Sequence, residues 1–307
     1  MLKSATSGRR SPARDRPVIL VANPAAHGSR RALIGEAVRH LRGRGLTVEV
    51  RLTRGLGDGL RLAREAARER PRFVLAGGGD GTVNEVINGL DGSGVPVGLL
   101  PLGTMNVLAR ELGIPGTVEG SLKVVLEGAP RPVTLGRVVL TGAPEAPSRL
   151  FFMSAGVGFD ASVVRGLNRT LRRWMPRTAH VASGLKVLSL WRPGELRVRT
   201  GQDDLRAYSL IASKTSLYAG SHPLAPGAGI TSPDIHFSLI QGPERRDILS
   251  FLVRLLLRSH RGMRGVTFLE SRRMEIEGVA PVQVDGEYIG ETPALIESAP
   301  GAIEIIY

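Results

Sequence analysis

The sequence predicts two domains, an α/β domain with a largely parallel sheet followed by a β-rich, mainly antiparallel domain of sandwich-like type. Three observations lead there. The chain has 307 residues, more than one ordinary core takes, since domains usually run about 100 to 200 residues. From Pro17 to Gly103 the hydrophobic period switches repeatedly between that of a strand and that of a helix, the pattern of alternating β and α elements. Beyond residue 130 the apolar runs become short, β-prone and separated by turns, as in antiparallel layers.

Taken in order, VILVAN at Val18 to Asn23 reads as a buried strand. The next segment places Leu33, Ile34, Ala37, Val38 and Leu41 on one helical stripe, which Gly43 or Gly45 can end. A strand follows at Thr47 to Leu52, a helix at Asp58 to Arg70, and further strands at Arg72 to Ala76 and Val95 to Pro101. In GGGDGTVNEVINGL, Thr82 has capping-box spacing to Glu85. In LPLGTMNVLARELG, Thr104 is placed to open a helix and Gly113 to close it. Pro115 to Pro147 holds Gly, Pro and short β-prone pieces, so the alternating unit ends near residue 130. Later runs such as RLFFMSAGVG, LRAYSLIAS, DIHFSLI and APVQVDGEYIG read as strands, with helices expected at Thr178 to Leu190 and Arg246 to Arg258.

Composition narrows the function. Hydrophobic residues at 42% and charged residues at 22% exclude a disordered or fibrous chain. The absence of cysteine removes disulfides, thiolate catalysis and cysteine metal sites. A formal charge of +13 favours an anionic partner, while aromatic content of 4% argues against single-stranded nucleic acid, which binds on stacking rings. Met1 to Arg16 lacks the apolar core of a secretory signal and reads as a loose basic leader. Ile248 to Leu257, interrupted by Ser250 and Arg254, is too short for a membrane span and reads as a core-facing helix rather than a membrane-surface one. The six histidines show no HExxH spacing, so zinc hydrolysis finds no support.

Gly77, Gly78, Gly79, Asp80, Gly81 and Thr82 form the sharpest local signal. Glycines let a backbone turn approach phosphate closely, and amides at a following helix start favour negative charge. Both this segment and Pro101 to Asn106 follow strands, where open α/β sheets hold their ligands. GxxxxGK[ST] and GxGxxG are absent, as are the protein-kinase signatures.

Gly77 to Leu90 together with PLGTMNVLAREL at Pro101 to Leu112 resembles the diacylglycerol kinase catalytic superfamily, in particular its bacterial lipid kinases, with sphingosine and ceramide kinases as more distant relatives. The resemblance runs from Val18 nearly to the end. It implies an N-terminal nucleotide-binding domain of the NAD kinase and diacylglycerol kinase type over residues 17–130, completed by a returning strand at 295–307, and a lipid-substrate domain over 131–294. It further implies that Asn23 and Pro24 make the first nucleotide-contact turn, that Gly78, Gly79, Asp80, Gly81 and Thr82 wrap the phosphates, and that Gly103, Thr104 and Asn106 form a second nucleotide loop. ATP and Mg²⁺ are the implied cofactors, with Asp80 organising Mg-ATP and Asp160, in AGVGFDA, joining a magnesium and water network. In VDGE, Asp285 resembles the general base and Glu287 a supporting carboxylate, although Asp-Gly-Glu between VQV and YIG also reads as a plain hairpin turn.

Two departures stand out. Val107 follows Asn106 where many members carry an acidic residue, and Thr215 to Pro233 breaks the usual glycine cluster and acidic-glycine continuation with Ala219, Ser221, His222, Thr231, Ser232 and Pro233. The implied activity is ATP-dependent phosphorylation of a lipid hydroxyl. NAD kinase and a nucleotide-binding membrane sensor without transfer activity are the alternatives. The resemblance leaves the acceptor open among diacylglycerol, sphingoid or ceramide lipids, phosphatidylglycerol and isoprenoid alcohols, and leaves a homo-oligomer open too. Arg165, Arg169, Arg172, Arg173 and Arg177 around Trp174 and Met175 are either a solvated face or a landing patch for an anionic membrane. The expected location is cytoplasmic, peripheral on the inner face of the membrane, with no nucleic-acid partner.

Overall fold

Continuous apolar runs become the parallel sheet of the first half. In the computed structural model, which describes residues 16–24, 29–166, 176–201, 203–218 and 222–307, β1 (Val18–Ala22), β2 (Val48–Leu52), β3 (Phe73–Gly78) and β4 (Val97–Pro101) lie in the order β2-β1-β3-β4, all parallel. Every residue of β1, β3 and β4 is buried, because helices cover both faces of such a sheet. The edge strand β2 buries only Val48.

Helices α1 (Ser29–Gly43) and α5 (Val118–Glu127) cover one face, where Ile34, Ala37, Leu41, Leu122 and Val125 pack on Val18, Leu20 and Leu75. Between the strands run α2 (Asp58–Arg68), α3 (Asp80–Leu90) and the short α4 (Val107–Glu111). Gly45, at φ +78°, donates its N–H to the Arg42 carbonyl at 2.9 Å and closes α1. Helix α5 falls in the stretch expected to be irregular. Pro115, Gly116 and Gly120 obscure it in the sequence, but Thr117 caps it by accepting the Gly120 N–H at 3.2 Å, and Val118, Leu122 and Val125 fall at helical spacing on the buried face.

The chain divides into two compact units, one reaching to Arg131 and including Ile303–Tyr307, the other spanning Pro132–Ala302. In the second unit one sheet joins β15 (Arg273–Glu277), β8 (Leu196–Arg199) and β9 (Asp204–Ala207) to the first part of β18 (Ala294–Ile306), and β5 (Pro130–Leu140) pairs with β6 (Arg149–Phe151). A six-stranded sheet runs β14 (Val266–Ser271), β13 (Ile235–Ile240), β10 (Ser209–Ser213), β7 (Ser154–Val157), β16 (Pro281–Val284), β17 (Glu287–Glu291). All these ladders are antiparallel, as is the short pair β11 (Leu217–Tyr218) and β12 (His222–Pro223). The core between the sheets joins Val138, Phe151, Val198, Ile276 and Ile296 to Val157, Leu210, Phe237 and Val282, which makes the unit sandwich-like. Helices α6 (Phe159–Gly166), α7 (Pro176–Leu190) and α8 (Arg245–Leu256) cover the other face of the six-stranded sheet through Phe159, Val187 and Phe251 against Ile211 and Ile240. The end of β18 belongs to the first unit, where Ile305 pairs in parallel with Val97 and the Arg131 guanidinium lies over the Tyr307 ring.

Candidate active site

In the first unit, adjacent parallel strands end together. Asn23 donates its N–H to the Gly77 carbonyl at 2.9 Å, and Leu102 donates to the Gly78 carbonyl at 2.9 Å. The turn at Asn23 and Pro24, the loop from Gly77 to Thr82 and the loop from Pro101 to Asn106 therefore share the carboxyl edge of the sheet. Asp80 begins α3, and its Oδ1 accepts the Val107 N–H at 2.6 Å, binding the first glycine loop to the second. The loops touch backbone to backbone: a Cβ on Gly103 would lie 2.5 Å from the Gly79 Cα and 2.6 Å from the Asn106 Oδ1. Asn106 adopts φ +46°, accepts the Gly103 N–H at 2.8 Å and donates to the Gly103 carbonyl at 2.9 Å, which shapes the second loop. Burial pushes the Asp80 carboxyl above its ordinary value, and the backbone N–H groups around it, that of Val107 foremost, pull the other way.

The helix starts differ from the sequence expectation. Helix α3 begins at Asp80 after an extended Gly79 with no side-chain cap, so Thr82 already lies within the first turn and packs on Gly78, where a Cβ would sit 2.6 Å from the Thr82 Cβ. Glu85 instead accepts the N–H groups of Gly57 and Gly59, both at 2.8 Å, at the start of α2, so the capping box does not form. Thr104 likewise precedes the helix, which Asn106 introduces, while Gly113 closes it at φ +68°. The Val107 side chain is buried and its amide is the part that faces Asp80.

In the second unit, Asp285 and Gly286 form a two-residue hairpin loop between β16 and β17 with φ +46° and +82°, the geometry favouring Asp-Gly. The hairpin reading holds, and it also orients the carboxylate. Asp285 Oδ2 accepts the Phe152 N–H at 3.1 Å, and Oδ1 accepts those of Met153 and Ser154 at 3.0 and 2.9 Å. Glu287 Oε2 accepts from Arg149 Nη2 at 2.6 Å across to β6, with both side chains partly exposed.

Asp160, on α6, is held from two sides. Its Oδ1 accepts the Tyr218 hydroxyl and its Oδ2 accepts the Gln283 Nε2 at 2.6 Å, while the Gln283 Oε1 takes the Gly286 N–H at 2.7 Å. Burial foremost, then the Asp160 charge, holds the Tyr218 hydroxyl protonated well above its usual range. Gly156 must be glycine here, since a Cβ would meet the Asp160 Oδ2 at 2.1 Å. One donor on each oxygen ties the Asp160 carboxylate through Gln283 to the Asp285 turn and leaves lone pairs on both oxygens.

Lys214 had no signal beyond a lysine directly after an apolar strand. It is fully buried, donates its backbone N–H to the Met153 carbonyl at 2.9 Å, and sends its Nζ to the carbonyls of Ser232 at 2.7 Å and Asp234 at 3.1 Å. Burial pushes its pKa down to about 8, with Asp234 opposing. Among the described residues no three His, Cys, Asp or Glu side chains gather as a metal cluster. A magnesium ion carried by nucleotide phosphates needs only one or two protein carboxylates, and Asp80 fits that requirement. Arg165 pairs with Glu291 at 3.0 Å and lies over Tyr288, while Arg169, Arg172, Arg173 and Trp174 fall outside the described residues, as does the Arg177 side chain. Among the described residues no helix is long and apolar enough to cross a membrane.

Comparison with known proteins gives these features a family. The diacylglycerol kinase catalytic domain model matches residues 17–138, and the YegS C-terminal NAD kinase beta sandwich-like domain model matches 153–307. A protein named probable lipid kinase YegS-like from Pseudomonas savastanoi pv. phaseolicola is 30% identical over 89% of this chain and 88% of its own length. Another of that name from Chromohalobacter salexigens is 34% identical over 64% of this chain and 63% of its own length. A diacylglycerol kinase of Mycobacterium tuberculosis is 27% identical over 94% of both chains. In fold, the chain is similar to a diacylglycerol kinase from Bacillus anthracis, with TM-score 0.66 and 16% identity over 95% of this chain and 97% of that one. It is also similar to yeast NADH kinase, with TM-score 0.55 and 14% identity over 95% and 83%. With both family models in sequence and a 30% identical relative matched along most of its length, the chain belongs to the bacterial lipid kinase family built from a diacylglycerol kinase catalytic domain and a YegS-type β-sandwich domain.

Proposed function

We propose that the protein transfers the γ-phosphate of ATP to a hydroxyl of a membrane lipid such as diacylglycerol or a sphingoid or ceramide-like lipid, working from the cytoplasm at the inner face of the membrane. The observation that carries the reading is the bond between Asp80 and the Val107 N–H, which holds two glycine loops together at the carboxyl edge of a parallel sheet. Phosphate oxygens approach such loops because Gly78, Gly79, Gly81 and Gly103 present backbone without side chains. Asn23, Pro24, Thr82, Thr104 and Asn106 complete the nucleotide contacts. When bound with ATP, magnesium supplies neutralisation of phosphate charge, and Asp80 is the carboxylate that would hold it.

In the second unit Asp285 takes the proton from the lipid hydroxyl as its oxygen bonds to the γ-phosphorus and the bond to the ADP oxygen breaks. Three backbone amides hold that carboxylate in one orientation, which supports a positioned base. Glu287, paired with Arg149, supports the turn, and Asp160 acts through Gln283 to the same end.

The test is incubation with γ-labelled ATP, magnesium and fractionated lipids, with NAD⁺ as a parallel acceptor and mass identification of the product. A magnesium-dependent lipid phosphate is expected. Label in NADP⁺ alone would select NAD kinase activity, and nucleotide binding without transfer to any acceptor would select a sensor.

A further inference from the structure

Helix α8 buries one face and leaves the other apolar. Ile248, Phe251 and Leu255 pack beneath it against Trp191, Ile211 and Ile240. On the opposite side Leu249, Val253, Leu256 and Leu257 are 48%, 44%, 63% and 70% exposed. Their spacing at i, i+4, i+7 and i+8 draws a single stripe along the helix. A helix that only sealed a core would carry polar residues there, and a contiguous exposed apolar patch marks a surface that meets something.

Charge says what it meets. Beside the stripe lies a groove of about 630 Å³ lined by Arg246, Asp247, Ser250, Arg254, Met263 and Arg264. Glu244 and Asp247 are occupied at the helix start, where the Glu244 N–H donates to Asp247 at 2.9 Å and Glu244 pairs with Arg246 at 2.7 Å. Arg254, Arg258, Arg261 and Arg264 are exposed and make no ion pair among the described residues. We infer that this face of α8 and its arginine groove form a docking surface for a bilayer containing anionic phospholipid, with the leucine stripe entering the acyl boundary and the arginines taking headgroup phosphates. The inference deepens the lipid-kinase reading by naming the surface that meets the acceptor's membrane. A second copy of the chain is a poorer occupant, because a two-fold contact would set the arginines against themselves.

The experiment is cosedimentation with vesicles of phosphatidylcholine alone or with phosphatidylglycerol, without nucleotide, across a salt series. The whole chain is compared with two variant sets, one combining Leu249→Gln, Val253→Gln, Leu256→Gln and Leu257→Gln, the other Arg254→Gln, Arg261→Gln and Arg264→Gln. The unchanged chain should bind anionic vesicles about tenfold or more tightly than neutral ones. The arginine set should lose about tenfold at low salt and little at high salt, because ions screen that attraction, and the apolar set should lose about tenfold at every salt. Unfolding temperature and transfer to a dispersed short-chain lipid should stay unchanged in both sets.

Vesicle binding equal to that of the unchanged chain in both sets overturns the proposal. So does a fall in solution mass in the apolar set with vesicle binding intact, which would make this face an interface between copies. Intact arginine-dependent vesicle binding without phosphate transfer to any lipid would sink the kinase reading alone, whereas lipid phosphorylation with arginine-independent vesicle binding would sink only this surface.

Discussion

Asp80 and Asp285 sit in turns that read alike, an aspartate beside glycine after an apolar strand, yet the two units use them differently. Asp80 follows a parallel strand and gives its oxygen to Val107, only 27 residues on, because successive strands of a parallel sheet open at the same edge. Asp285 lies in an antiparallel hairpin and takes amides 131 to 133 residues upstream. The first turn links neighbouring loops of one repeating pattern, and the second joins segments that only the folded sheet brings together. A site of the first kind is written in consecutive motifs, while one of the second depends on strand order.

The largest effect expected from this contrast is at Asp285. Asp285→Asn tolerates the left-handed backbone and retains one acceptor oxygen, so it should keep ATP affinity while transfer falls by about 10² to 10⁴. Losing one acceptor for the three amides should cost about 1 to 2 kcal/mol of stability. Calorimetric ATP titration, single-turnover transfer and thermal unfolding on one preparation separate these effects. Transfer at the original rate removes Asp285 as the base, and joint collapse of affinity and fold makes the turn purely structural.

Asp80→Asn should act in the opposite sense on stability. Because burial raises the folded carboxyl above its ordinary value, folding favours the protonated form, and the ionised group costs stability as pH rises above the unfolded value of about 4. The amide keeps an acceptor for Val107 and removes that cost, so the variant should be at least as stable at pH 7, with the advantage fading towards pH 3. Its magnesium-dependent transfer should fall on the order of a hundredfold. Denaturant midpoints at both pH values and a magnesium titration check this; unchanged magnesium dependence would end the proposed role.

A smaller, purely energetic effect belongs to Lys214. Its folded pKa of about 8 lies below the 10.5 of a free lysine, so between those values the unfolded chain holds a proton that the folded chain has released. Stability should therefore rise with pH across that window, by up to about 3 kcal/mol. Lys214→Met should flatten the rise between pH 7.5 and 9.5, below the range where Tyr218 ionises. Equal slopes in urea unfolding of the two proteins would show that Lys214 is not the source.

Several local readings survived folding because their causes are local. The buried parallel strands, the glycine closing α1 and the Asp-Gly hairpin each follow from periodicity or backbone preference within a few residues. Helix α5 was hidden by Pro115, Gly116 and Gly120, although Val118, Leu122 and Val125 carried its spacing. The capping box at Thr82 and Glu85 failed for a non-local reason, since Glu85 found the amides of Gly57 and Gly59 on the neighbouring helix start. Apolar spacing in α8 foretold its buried face but not the exposed stripe behind it.

The amino-acid pattern alone carried the alternation of strands and helices as far as β4, the parallel and antiparallel character of the two halves, and the glycine loops beside Asp80, because each rests on hydrophobic period or on the steric freedom of glycine. Folding in three dimensions is what links Asp160 through Gln283 to the Asp285 turn, closes that chain with Tyr218, and directs the Lys214 ammonium to two carbonyls. Those bonds join residues 58 and 123 positions apart, or bury a charge whose partners are backbone atoms. Neither side-chain type nor local spacing encodes a partner of that kind; strand order and burial do.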